Sequence, residues 1–119
     1  MPRQDPEALI PLKPVELLIL TMLTGGERHG YGIRQDIIAH THGAMQLEAG
    51  NLYRSMRRLD SDGLVEEAGR RPAADADDER RRYYRLTAFG RRVLAAEMLR
   101  LRELVQLAEE RRVIAPQRA

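Results

Sequence analysis

Asn51, Arg54, Arg57 and Arg58 crowd into one short stretch of the chain. An asparagine amide can pair in bidentate fashion with adenine, and an arginine fork with guanine or with a phosphate. A second group of cations, Arg82 and Arg85, brackets Tyr83 and Tyr84. Of the 20 basic residues all but Lys13 are arginine. A GC-rich coding sequence would produce the same bias, so position and not number must decide its meaning. Other chemistries find little support. There is no nucleophile–base arrangement, no glycine-rich phosphate loop and no dinucleotide fingerprint, and Thr24-Gly25-Gly26 reads as a helix stop. His40 and His42 stand two residues apart, which turns them to different sides of a helix, and no cysteine assists them or His29. The residues Asp75 to Glu79 lack the glycine turn and closing glutamate of a calcium loop. No enzyme, cofactor or metal is expected.

The bulk properties bound the rest. A chain of 119 residues fits one domain with an added element, and 43% hydrophobic with 32% charged residues is globular composition. The net charge of +2 is a weak pointer to nucleic acid by itself. Disulfides are excluded by the lack of cysteine. No apolar run approaches the ~20 residues of a membrane span, and the first six residues lack a secretory leader's apolar core. A cytoplasmic protein with no membrane partner is expected.

Several elements must position the candidate residues. Residues 1–13, with prolines at 2, 6 and 11, read as an arm. Pro14 suits the first turn of a helix, and the almost wholly apolar run from Val15 to Leu23 predicts one buried on most faces, stopped by Gly25-Gly26. Ile33, Ile37 and Ile38 predict a second helix from about Tyr31 to Thr41. The third is predicted over Ala49 to Ser61, with Leu52, Met56 and Leu59 on one face and Asn51, Arg54, Arg57 and Arg58 on the others. Leu64 to Ala68 and Arg82 to Thr87 read as two strands of a hairpin around the polar segment 70–79, a mobile tip with acids in its middle and arginines at its base. Thr87 is a good N-cap for a last helix from about Ala88 to Val113. Along it Leu94, Met98, Leu101, Val105 and Ala108 recur at alternating spacings of four and three, a heptad-like seam. Such a helix outruns the core of a domain this size, so the seam predicts a homodimer through the C-terminal helix.

Three helices and then a hairpin follow the winged helix-turn-helix plan, so the expected fold is mainly α with a small β-hairpin. Its divisions are an arm (1–13), a DNA-binding domain (14–87), and a dimerisation helix with tail (88–119). In that plan the third helix enters the major groove and the hairpin reaches the backbone. His29-Gly30-Tyr31-Gly32-Ile33, then Leu52-Tyr53 with Leu59-Asp60-Ser61-Asp62-Gly63-Leu64-Val65, then Arg82-Tyr83-Tyr84-Arg85-Leu86-Thr87-Ala88-Phe89-Gly90 resemble the PadR family of transcriptional regulators. The likeness extends from about Val15 to Gly90, and the last helix resembles the dimerisation helix of the family's shorter members.

The resemblance implies a regulator of transcription, a repressor binding double-stranded DNA as a homodimer, with a small-molecule effector in some members. The lack of tryptophan and the single Phe89 give an aromatic-walled effector pocket poor support. The family has a small hydroxyl residue before the Leu-Tyr pair and often proline after it; here Asn51 and Arg54 stand there, which puts any borrowed target sequence in doubt. The expected DNA contacts are Tyr31, Arg34, Asn51, Tyr53, Arg54, Arg57, Arg58, Arg82 and Arg85. Packing competes as the use of Tyr31 and Tyr53, and Gly30 and Gly32 are expected to allow a tight entry to the second helix and to bring backbone N–H groups near a phosphate. The competing reading is a winged-helix interaction module that no longer binds DNA.

Overall fold

The computed structural model describes residues 5–68 and 82–117. Helix α1 (Pro14–Met22) is followed by strand β1 (Arg28–His29), α2 (Gly30–His40), α3 (Ala49–Ser61), strands β2 (Val65–Glu67) and β3 (Tyr83–Leu86), and α4 (Ala88–Glu110). The mainly helical plan is the expected one, and α3 has the predicted bounds. The sheet is larger than expected. It has three antiparallel strands in the order β1-β3-β2, because Arg28 and His29 pair with Tyr84 and Tyr83. A two-residue strand is too short to leave a period in the sequence. The expectation for the segment 70–79 lies outside the described residues.

The core forms where the three first helices meet the sheet and the start of α4. Ile19 and Leu20 of α1, Ile33 and Ile37 of α2, and Leu52, Met56 and Leu59 of α3 are buried together with Leu64, Val65, Tyr84, Val93 and Leu94. Tyr84 faces this core while Tyr83, its neighbour in the strand, stays half-buried, as strand alternation requires.

From residue 5 onward the N-terminal arm is packed onto the domain. Residues Pro6–Leu9 form a 3-10 turn, and Leu9, Ile10 and Leu12 pack against the core. The Leu12 N–H donates to Glu97 Oε2 at 2.9 Å, and Arg100 holds the same carboxylate through two bonds of 2.6 and 3.0 Å. Glu97 is buried, and the Arg100 guanidinium holds its carboxyl below the usual carboxylate range despite that burial.

Two devices fix the start of α4. The Thr87 hydroxyl accepts from the Gly90 N–H at 2.9 Å, as an N-cap should, and donates to the Gly63 carbonyl at 2.6 Å. Gly90 then lies so close to the preceding turn that a Cβ there would stand 2.0 Å from the Leu64 carbonyl oxygen. The helix ends at Glu110 rather than Val113. Arg112 takes φ 63°, and the Val113 N–H donates back to the Ala108 carbonyl at 2.8 Å, closing the last turn.

Candidate nucleic-acid interface

Helix α3 presents a ridge. Its buried side is Leu52, Tyr53, Met56 and Leu59, and Asn51, Arg54, Arg57 and Arg58 are exposed. Asn51 Oδ1 accepts from Arg54 Nη2 one turn along, so the two candidate base-reading groups are tethered to each other. Arg58 lies 3.6 Å from Glu16, a buried carboxylate of α1. Arg34 reaches from α2 and donates through Nε to the Leu47 carbonyl at 2.7 Å. That bond ties α2 to the turn leading into α3, so at least one face of Arg34 orients the ridge from behind.

Grooves flank the ridge on two sides. Between α3 and the start of α1 runs an open groove of about 550 Å³, with Lys13, Arg54 and Arg58 on its walls and Val15, Met45 and Leu47 on its floor. On the other side a cleft of about 70 Å³ separates α3 from the sheet, lined by Met56, Arg57, Asp60, Glu67 and Arg82. The first groove carries three cations against Glu16 alone, whereas in the second Arg57 and Arg82 face Asp60 and Glu67.

The His-Gly-Tyr-Gly segment forms the expected tight entry to α2, with its glycine N–H groups turned inward. His29 is the N-cap of α2: its Nδ1 accepts from the Gly32 N–H at 2.8 Å, and its ring meets Tyr83 edge to face at 5.4 Å. The Gly30 N–H donates to the Arg82 carbonyl at 3.2 Å. Both glycine N–H groups are thus used inside the protein, which removes them as phosphate donors. The glycines are there for space. A Cβ on Gly30 would come within 2.7 Å of the Tyr53 ring, and one on Gly32 within 2.6 Å of the Arg28 guanidinium. Tyr53, 8% exposed, is correspondingly a core residue packed over Gly30, and a direct backbone contact from it is set aside. Tyr31, by contrast, is 39% exposed on the first turn of α2.

The cations of the sheet are matched by acids. Arg85 Nε lies 2.9 Å from Glu66 Oε1, its directly opposite partner on β2, and Arg85 Nη1 lies 3.9 Å from Glu27. Arg82 Nε is 3.7 Å from Glu67. Arg28 forks onto Asp36 with two bonds of 3.1 Å, which raises its pKa further.

The expected dimer seam divides. Leu94 is buried in the chain's own core, which removes it from a surface seam, and Leu101 and Ala108 are half-buried. Met98 and Val105 are exposed, and so are Leu99, Leu104 and Leu107, which widen the apolar surface on the outer half of α4. Sequence reasoning did not single out Glu97 or Glu16. Glu97 had a readable signal: it continues the buried Gly90, Val93, Leu94 stripe at the next helical step, where a carboxylate needs a partner.

A family model described as the transcriptional regulator PadR-like family matches residues 19–96. The chain belongs to the PadR-like family. A transcriptional regulator of Mycobacterium tuberculosis is 33% identical over 92 residues, covering 77% of this chain and 79% of that one. An uncharacterized protein of Lysinibacillus sphaericus is 27% identical over 99 residues, covering 81% and 88%. Among solved structures, a PadR family transcriptional regulator from Eggerthella lenta is 26% identical with a TM-score of 0.64, covering 88% of this chain and 82% of that one. A PadR family regulator from Clostridium difficile is 21% identical with a TM-score of 0.67, covering 82% and 97%, and carries the fold comparison alone. PadR-like proteins are DNA-binding regulators of transcription, not enzymes. Among the described residues no helix is long and apolar enough to cross a membrane.

Proposed function

We propose that this PadR-like chain represses transcription by reading a palindromic duplex as a homodimer. One observation carries the reading: α3 buries one face completely and stands proud with Asn51, Arg54, Arg57 and Arg58 between two grooves. A helix so presented fits the major groove, and its flanking grooves lie where the two strands' backbones pass. Asn51 and Arg54 are the base readers in this arrangement. Arg57, Arg58, Tyr31, Arg82 and Arg85 are backbone contacts, and Arg34 acts as a support of α3. Pairing of two copies through Met98, Leu101, Val105 and Ala108 would set the two α3 ridges ~34 Å apart, one turn of the duplex. No described residue singles out an effector, and the reading includes none.

The test is selection of random duplexes by the purified protein, followed by binding to the enriched sequence across salt concentrations. A palindromic consensus is expected, with log affinity falling by ~0.9 per neutralised phosphate against log salt. No enrichment, with weak uniform binding, would favour an interaction module, which the acid-matched sheet also suits.

A further inference from the structure

The two cationic regions of the proposed interface are not built alike. On α3, Asp60 is the one acid of the helix itself, and Arg58 pairs outside it, 3.6 Å from Glu16 of α1. Around the sheet, the guanidiniums of Arg28, Arg82 and Arg85 are engaged by four carboxylates, those of Asp36, Glu67, Glu66 and Glu27. Arg85 alone sits between two of them, one on the adjacent strand and one on the turn before β1. These side chains are all partly exposed, so a phosphate can approach them.

We infer that Glu66, Glu67 and Glu27 act as built-in competitors for the arginines of the sheet, holding down its affinity for the phosphate backbone. The inference rests on the proposed DNA reading. A phosphate and a carboxylate each offer a guanidinium two oxygens for a bidentate pair, so each arginine can serve one fully or share itself between two. A duplex that engages Arg85 or Arg82 must displace a carboxylate, and that carboxylate then lies a few ångströms from the phosphate and repels it. The acids therefore keep the sheet from fastening onto any duplex whatever, since sequence-independent affinity is almost entirely this electrostatic contribution. The α1-side groove has three cations to one acid, Glu16, which lies 3.6 Å from Arg58.

The experiment measures binding of the full chain and its Glu66→Gln/Glu67→Gln and Glu27→Gln variants to the selected duplex and to an unrelated one. A Glu7→Gln variant, on the exposed N-terminal turn, controls for net charge. The double variant is expected to bind both duplexes roughly tenfold more tightly at ~50 mM salt, and Glu27→Gln roughly threefold, the gains shrinking as salt screens them. Glu7→Gln should change little. Unchanged or weaker binding by both Glu-to-Gln proteins would overturn the inference, since the acids would then be supports that orient the arginines. A gain no larger than that of Glu7→Gln would overturn it as well. If the double variant fails to melt as a folded protein, Glu27→Gln decides. Failure of the unaltered protein to bind any duplex would instead count against the DNA reading itself.

Discussion

The inner and outer halves of α4 both carry an apolar stripe, and the two stripes are opposite in fate. Val93 is fully buried and Leu94 nearly so, while further along Leu104 is 54% and Val105 46% exposed. The first half closes the core over α1; the second continues past it, and Leu104, Val105 and Leu107 stay exposed among the described residues. A helical stripe thus reports that an apolar face exists and says nothing about which molecule meets it. One end of the helix completes the fold, and the other carries the exposed apolar ridge on which the proposed pairing rests.

The same substitution at both ends sharpens the contrast most. Val93→Asp would bury a carboxylate among Ile19, Leu20 and their neighbours, with no partner, and should cost about 4 kcal/mol, enough to leave little folded protein in a denaturant titration. Retention of near-normal stability would mean that the inner half is not part of the core.

A middle-sized effect is expected at the boundary between the halves, where Glu97 holds Leu12 and Arg100. Because its pKa is lowered in the folded chain, mainly by Arg100, its ionised form stabilises the fold above the unfolded value of ~4.3. That contribution is lost as pH falls through the lower folded value. Glu97→Gln should lower Tm near neutral pH and flatten its decline between about pH 5 and pH 3. A decline equal to that of the unaltered protein would show that other carboxylates carry the acid sensitivity.

The smallest effect on the fold should come from Val105→Asp, within about 0.5 kcal/mol, because the side chain is already half in water. Its consequence is expected elsewhere, as conversion of a dimer to a monomer in sedimentation. A dimer that survives would move the pairing surface off this seam.

Much of this architecture was legible because it rests on strong periodicities. Helix α3 could be read residue by residue, since Leu52, Met56 and Leu59 interrupt an otherwise polar stretch at helical spacing. Thr87 was legible because a capping hydroxyl acts within three residues of itself. What escaped depends on contacts far apart in the chain. The strand at Arg28–His29 exists only because β3 passes beside it, and the N-terminal segment is held at Leu12 by a carboxylate 85 residues away. At the candidate site the residue types were readable but their engagement was not. Nothing local says that Arg34 is used on Leu47, that Tyr53 roofs Gly30, or that each arginine of the sheet meets an acid.

The close approach at Gly90 bears on how such a regulator can change over generations. With the Leu64 carbonyl pressed against it, that position has room for hydrogen and for no other side chain. Mutational drift can therefore rewrite the surface of α3, the proposed reading helix, or the outer half of α4, the proposed pairing surface, without touching the junction between them. The angle at which the pairing helix leaves the reading domain is inherited as a fixed quantity. On the proposed reading, new target sequences and new partners are open to descendants of this chain, whereas a new distance between two reading heads must come from outside that joint.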